Sequence, residues 1–135
     1  MGFVLDASVT ASWFLPDEDD RDALEAWDRS ATEEVWVPLH WWFEVRNTML
    51  MGERRGRISE ALTAHSLNRL SLLPIMMEAR PDETEVLDLA RRHRLTFYDA
   101  VYLELAGRKR VPLATLDVDL IAAARAERIP LVVAP

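Results

Sequence analysis

Short apolar runs alternate with longer segments of helical period along this chain. Phe3-Val4-Leu5 is an unbroken apolar triplet, which predicts a short strand buried on both faces. Asp6 follows at once, and a helix is expected over 8–15, stopped by Pro16. Residues 17–31 are acidic and amphipathic and predict a helix with Leu24, Trp27 and Ala31 on one face. A second strand is expected over 34–37, closed by Pro38. The next helix, over 40–55, carries Trp41, Glu44, Val45 and Thr48 on one side at the spacing i, i+3, i+4, i+7, and Gly52 and Gly56 mark its end. Ser59 is a good cap for a helix that reaches about 72 with Leu62, Leu70 and Leu73 inward. A third strand is expected over 74–77. Pro81 stands where a first helical residue should, opening a helix to about 93 with Val86, Leu87 and Ala90 inward. Thr96 can cap a helix over 97–108 that carries Asp99, Tyr102, Leu103 and Ala106 on one face. A fourth strand over 112–116, a helix over 119–128 and a last strand over 130–133 complete the reading.

Strands alternating with helices imply an α/β fold with a parallel sheet covered on both faces. At 135 residues, without internal repeat or linker, residues 1–135 form one domain. Half the residues are hydrophobic and 29% are charged, which fits a globular chain and argues against disorder. There is no cysteine, so disulfides and thiolate metal sites are excluded, in keeping with a reducing cytoplasm. No apolar run is long enough to span a membrane, and the start lacks the pattern of a signal peptide. The net charge of −7 has the wrong sign for bulk attraction to nucleic acid. Its distribution qualifies this: acids crowd residues 17–34, while basic residues cluster at Arg54, Arg55 and Arg57, at Arg91, Arg92 and Arg94, and at Arg108, Lys109 and Arg110. Such clusters suit phosphate, although a GC-rich genome gives the same preference for arginine.

Four acids bear on function. Asp6 and Asp117 each end a strand and precede a helix, which places them at the carboxyl edge of the sheet, where open α/β folds bind ligands. Asp99 lies in the first turn of its helix. Each has a structural alternative: Asp99 and Asp119 as helix-start charges, Asp117 as a turn or cap residue, Asp6 as an Asx turn before Ser8. Glu44 sits among Trp41, Trp42, Phe43 and Val45 on an inward face, and a buried carboxylate needs a cation, a proton or a strong hydrogen bond. Two like charges 4 Å apart repel by about 4 kcal/mol at an effective dielectric of 20. Several carboxylates on one sheet edge therefore call for a cation. Oxygen-only ligands select a hard ion, Mg²⁺ or Mn²⁺, whose natural chemistry is phosphoryl transfer to water.

Val-Leu-Asp-Ala-Ser near the start, Pro38 followed by Trp-Phe-Glu-Val-Arg-Asn, Thr-Phe-Tyr-Asp-Ala-Val-Tyr and then Ala-Thr-Leu-Asp resemble, in this order, the PIN-domain ribonucleases. The likeness is strongest to the VapC-type toxins of bacterial toxin–antitoxin pairs and covers essentially the whole chain. It implies a three-layer α/β/α sandwich with strand order 3-2-1-4-5. It implies Mg²⁺ held mainly by Asp6 and Asp99, with Glu44 and Asp117 completing the acidic pocket and the Ser8 and Thr115 hydroxyls near the site. It further implies an RNA substrate such as a tRNA or rRNA, a cognate VapB-type antitoxin and a homodimer in the cytoplasm. The fourth acid is read as Asp117, with Asp119 as its competitor. Ala126-Glu127-Arg128 stands where these proteins often place a glycine.

The remaining singled-out residues read as structural. His40, His65 and His93 are expected at the surface or boundary, and Lys109 as solvated charge near a helix end. Trp41 and Trp42 cannot both point inward, so one is free for a partner or a dimer mate. A haloacid-dehalogenase-like phosphatase would want a second Asp where Ser8 stands. A phosphoacceptor domain would want an Asp at a middle strand and a Lys at the end of a late one. The surviving alternative to a nuclease is a catalytically silent PIN-like module that only binds RNA or protein.

Overall fold

Phe3, Val4 and Leu5 have no solvent exposure, and the strand they form is the centre of the sheet. A computed structural model describes all residues, 1–135. Strand β1 (Gly2–Leu5) pairs in parallel with β2 (Glu34–Pro38) on one side and β4 (Leu113–Ala114) on the other, and β3 (Ile75–Glu78) lies outside β2, giving the order β3-β2-β1-β4. The central strand is wholly apolar because both its faces are covered. The edge strand β3 leaves Met76 and Met77 exposed.

Helices α1 (Ala7–Phe14) and α2 (Arg21–Ser30) connect β1 to β2, and α3 (Leu39–Arg54) and α4 (Glu60–Ser71) connect β2 to β3. The chain then reverses direction across the sheet through α5 (Glu83–His93) and α6 (Phe97–Lys109) to β4, followed by α7 (Val118–Ala126). Right-handed crossovers in opposite directions put α1–α4 and α5–α7 on opposite faces, which is the three-layer α/β/α sandwich expected. The reversal falls between β1 and β4. Helix α6 packs against β1, β2 and β4 as well as α5 and α7. It is consequently buried from Ala100 through Ala106, all round rather than along one stripe.

Caps set most helix starts. Ser59 accepts from Leu62 N, and Thr96 accepts from Asp99 N, as expected. Helix α2 starts later than its acidic pattern suggests, because Asp20 caps it by accepting from Asp22 N and Ala23 N. Asp17 and Glu18 lie ahead of the helix and hold Arg57 at 2.8 and 3.2 Å. Its inward face is made of Ala23, Ala26 and Ser30, while Leu24 points outward. Pro81 lies just outside α5, whose cap is Asp82; the inward residues there are Val86 and Leu89, with Leu87 and Ala90 only half-buried.

The fifth strand reduces to one parallel bridge, Leu131 beside Leu113. Leu113 N donates to Pro130 O and Val132 N to Leu113 O, and Pro130, which has no N–H, cannot carry the ladder further back. Ala134 N then donates to Asp22 Oδ1 at 2.7 Å, turning the chain toward α2. The end of α7 explains the missing glycine as a cost: Arg128 has φ 58°, in the left-handed region, like Arg94 and Arg110 at the ends of α5 and α6.

Candidate active site

Asp6 ends β1 at the point where the sheet reverses. Its backbone N–H continues the ladder to Ala114 O at 3.0 Å, which leaves the side chain at the carboxyl edge. The carboxylate does not cap α1, so the Asx-turn alternative fails. Instead Ser8 Oγ and Thr115 Oγ1 both donate to Asp6 Oδ2, each at 2.7 Å. The hydroxyls are themselves held, because Ser8 Oγ accepts from Leu116 N at 3.0 Å and Thr115 Oγ1 from Asp117 N at 3.1 Å. Asp6 Oδ1 is left without a protein donor. Burial is the main cause that pushes the carboxyl up to about 6, with the charges of Glu44 and Asp99 adding to it and the two hydroxyls opposing it.

Glu44 reaches the same edge from α3. It is half-buried rather than enclosed, with 37% of its side chain exposed. Its partner is Tyr102 on α6, whose hydroxyl donates to Glu44 Oε1 at 2.6 Å. His40 Nε2 lies 3.3 Å from the same oxygen without the alignment of a hydrogen bond. Burial and the charge of Asp99 raise the Glu44 carboxyl, and the Tyr102 hydrogen bond opposes them. Tyr102 has no solvent exposure. Burial, together with the charges of Asp6 and Glu44, drives its hydroxyl far above the ordinary range, so it remains a donor. Arg46 is no partner for Glu44: its guanidinium lies 3.9 Å over the Trp42 ring and donates to Trp42 O.

Asp99, half-buried in the first turn of α6, is raised by burial first and then by the charges of Asp117 and Asp119, with Thr96 and His40 opposing. Asp117 does cap α7, accepting from Asp119 N at 2.9 Å and Leu120 N at 3.0 Å through Oδ1. The cap reading of Asp117 is therefore correct, and the same side chain also lends its charge to Asp99. Asp119 is exposed.

The four expected acids thus stand around one edge and act on one another electrostatically, although no three acid or histidine side chains converge closely enough to form a finished metal nest. The donor set still fits a hard divalent cation: it is all oxygen, Asp6 keeps one oxygen unclaimed, and Asp6, Glu44 and Asp99 are each raised by a neighbouring acid. Sequence reasoning missed Tyr102 as a polar partner and His40 as a neighbour of the site. Helical spacing put Tyr102 one turn after Asp99, which was the available signal.

Part of each basic cluster is committed elsewhere, while Arg54, Arg55, Arg94 and Arg110 are exposed and unpaired. Arg57 holds Asp17 and Glu18, Arg92 holds Glu127 at 2.8 Å, and Arg108 holds the buried Glu104 at 2.7 Å. Lys109 is not free surface charge either, since it pairs with Glu78 at 2.8 Å. His93 likewise contacts Glu127, and His65 is exposed.

Comparison with known proteins agrees with this arrangement. Residues 3–126 match the PIN domain. The chain is 30% identical, over 138 positions and the full length of both proteins, to Ribonuclease VapC3 of Pyrobaculum aerophilum. Its fold is similar to the crystal structure of PAE2754 from Pyrobaculum aerophilum, with a TM-score of 0.69 and 27% identity over 91% of this chain and 79% of that one. It is also similar in fold to VapC20 of Mycobacterium tuberculosis, described as a sarcin-ricin-loop-cleaving toxin, with a TM-score of 0.61 and 22% identity over 90% and 94% of the two chains. The chain belongs to the PIN-domain family and, within it, to the VapC-type proteins.

Proposed function

We propose that the protein is a metal-dependent endoribonuclease, the toxin of a toxin–antitoxin pair, that hydrolyses phosphodiester bonds at the edge carrying Asp6, Glu44, Asp99 and Asp117. The observation that carries this reading is Asp6: a buried carboxylate, held by two hydroxyls and no cation, at the reversal point of the sheet, with its carboxyl pushed up to about 6. A purely structural carboxylate in that position would have a basic partner.

Asp6 and Asp99 would hold Mg²⁺, with Mn²⁺ as a substitute. Bound there, the ion supplies a water of lowered pKa and stabilises charge on the phosphate oxygens. The protein's own part is positional. Ser8 and Thr115 fix the Asp6 rotamer from two sides, tying β1 to β4. Tyr102 fixes Glu44 from the rigid post of α6, and burial raises the Glu44 carboxyl above its ordinary range, which makes it a stronger proton acceptor than a free carboxylate. Asp117, anchored as the α7 cap, completes the acidic pocket, with Asp119 outside it.

The substrate is an RNA, of tRNA or rRNA type, in the cytoplasm. No helix is long and apolar enough to cross a membrane. A VapB-type antitoxin neutralises the activity, and a homodimer is the expected assembly. An acidic edge invites a basic side chain of the antitoxin, which would compete with Mg²⁺ for Glu44 and Asp99. Expression in a host cell should arrest growth, with new RNA 5′ ends at defined sites. Both effects should vanish in Asp6→Asn and on co-expression of the neighbouring small gene. Growth arrest that persists in Asp6→Asn with no new RNA ends would mark a binding module instead.

A further inference from the structure

Both α3 and α6 present an exposed aromatic residue immediately before a site acid. Phe43 precedes Glu44 and is 62% exposed, and Tyr98 precedes Asp99 and is 64% exposed. Between them the half-buried His40 ring lies 5.5 Å from the Tyr98 ring and 5.0 Å from the Tyr102 ring, edge-on to the latter. Burial holds its imidazole below the usual range, so it is largely uncharged at neutral pH. Phe43, Tyr98 and His40, with Leu39, Phe97 and Val101, line a cavity of about 230 Å³ whose wall also includes Glu78 and Arg108.

We infer that this slot is a base-binding subsite, in which Phe43 and Tyr98 stack an unpaired base of the RNA strand next to the bond cut at the acids. The inference rests on the ribonuclease reading above and adds the means by which the strand is held. Of the clustered basic residues, Arg57, Arg92, Arg108 and Lys109 are paired with the protein's own carboxylates, which leaves the exposed Arg54, Arg55, Arg94 and Arg110 for phosphate. Beside the acidic edge itself the strand meets aromatic rings, and stacking on them is open to every base through its π-face and needs no cation. His40 lines the slot and lies 3.3 Å from Glu44 Oε1, so the slot adjoins the catalytic edge, and a strand with a phosphate at the acids would have a neighbouring base within reach of it. A flat ring against an imidazole and two exposed aromatics matches that occupant in shape, and the charges on the slot's wall, Glu78 and Arg108, are paired with each other at 3.8 Å.

The test uses a single-stranded RNA with a mapped cleavage site, and its versions with an abasic ribose at each position flanking the cut. Phe43→Ala and Tyr98→Ala should each raise KM about tenfold with little change in kcat, and Tyr98→Phe, which keeps the ring, should recover the lost affinity. One abasic position should reproduce the loss, and on that RNA the alanine variants should cost nothing more. Thermal melts confirm that the variants are folded. A second arm needs no cleavage: RNA carrying 2-aminopurine at that position, bound to Asp6→Asn protein, should be quenched, and less so once Tyr98 or Phe43 is alanine. Unchanged KM and unchanged quenching in folded alanine variants would overturn the subsite. So would abasic effects that simply add to the variants' effects, or a loss explained entirely by dissociation of a dimer in sedimentation or by lost antitoxin binding. A wild-type protein that cleaves no RNA would count against the ribonuclease reading, while the quenching arm would still decide the subsite.

Discussion

The two ends of α6 hold carboxylates in opposite ways. At its start, Asp99 joins Asp6 and Glu44 at an edge that has hydroxyl donors but no ion pair to a lysine or arginine, and all three carboxyls are pushed up. At its other end the buried Glu104 is bridged by Arg108, while Glu78 beside it meets Lys109 and Arg108 and is pulled down. The same contrast recurs at Glu127, which Arg92 and His93 hold low. Burial alone does not separate the regions, since Asp6 is 6% exposed and Glu104 4%. The difference is compensation. Where the fold needs a buried acid for its own integrity it supplies a cation, and where it leaves acids uncompensated the missing charge points to a ligand from outside.

The largest expected effect breaks this contrast at Asp6. Asp6→Asn should abolish RNA cleavage and make the folded protein more stable at neutral pH. A carboxyl raised from 3.8 to about 6 destabilises the fold by about 3 kcal/mol once fully ionised. The sign follows from proton binding: the folded state holds the proton longer, so wild-type stability falls as pH rises between about 4 and 6. The cost is absent at lower pH and complete at higher pH. Denaturant melts across that range should show the slope in wild type and a much flatter line in Asp6→Asn. Glu104→Gln should act in the opposite sense, costing about 1–3 kcal/mol by removing the 2.7 Å ion pair to Arg108, which keeps only the longer contact to Glu78. If both variants destabilise alike, the distinction between the two regions is wrong.

Second in size is the response to metal. Mg²⁺ or Mn²⁺ should raise the melting temperature at pH 7, where Asp6 is mostly ionised, and hardly at pH 5, where protonation of Asp6 competes. Asp99→Asn should remove the gain. A smaller effect is expected from Tyr102→Phe. Its hydroxyl opposes the rise of the Glu44 carboxyl, so its loss should move the acidic limb of the pH–rate profile to higher pH and lower activity below that limb. The smallest concerns Arg128, at φ 58°: Arg128→Gly should stabilise the protein by about 0.5–1 kcal/mol without moving activity, read in the same melts.

Much of this was legible in the chain. The apolar run that ends at Asp6 and the strand that ends near Asp117 placed both acids at one edge, because a two-sided strand has no room for a charge until it leaves the sheet. The caps Ser59 and Thr96 were readable for the same local reason. What failed to show was long-range. Tyr102 and Glu44 are 58 residues apart, and helical period says that a side chain faces inward without saying what it meets. The start of α2 was misplaced because its leading acids resemble a first turn, whereas Arg57, distant in sequence, holds two of them outside it. The fifth strand is only a bridge, and the missing donor of Pro130 accounts for its start at Leu131 but not for its end. The proposed choice of Asp117 over Asp119 is supported by anchoring: Asp117 is fixed as a cap and its charge acts on Asp99 more than that of Asp119 does. Asp117→Asn keeps the cap and should still lose more cleavage activity than Asp119→Asn.

The central claim is that the uncompensated edge is a metal-dependent ribonuclease centre. Its most direct test is cleavage of RNA by the purified protein in EDTA, after return of Mg²⁺ or Mn²⁺, and by Asp6→Asn prepared identically. No cleavage in EDTA, full recovery with either ion and none from the folded variant are the predicted results. Undiminished cleavage in EDTA by pure protein, or from Asp6→Asn, would contradict it.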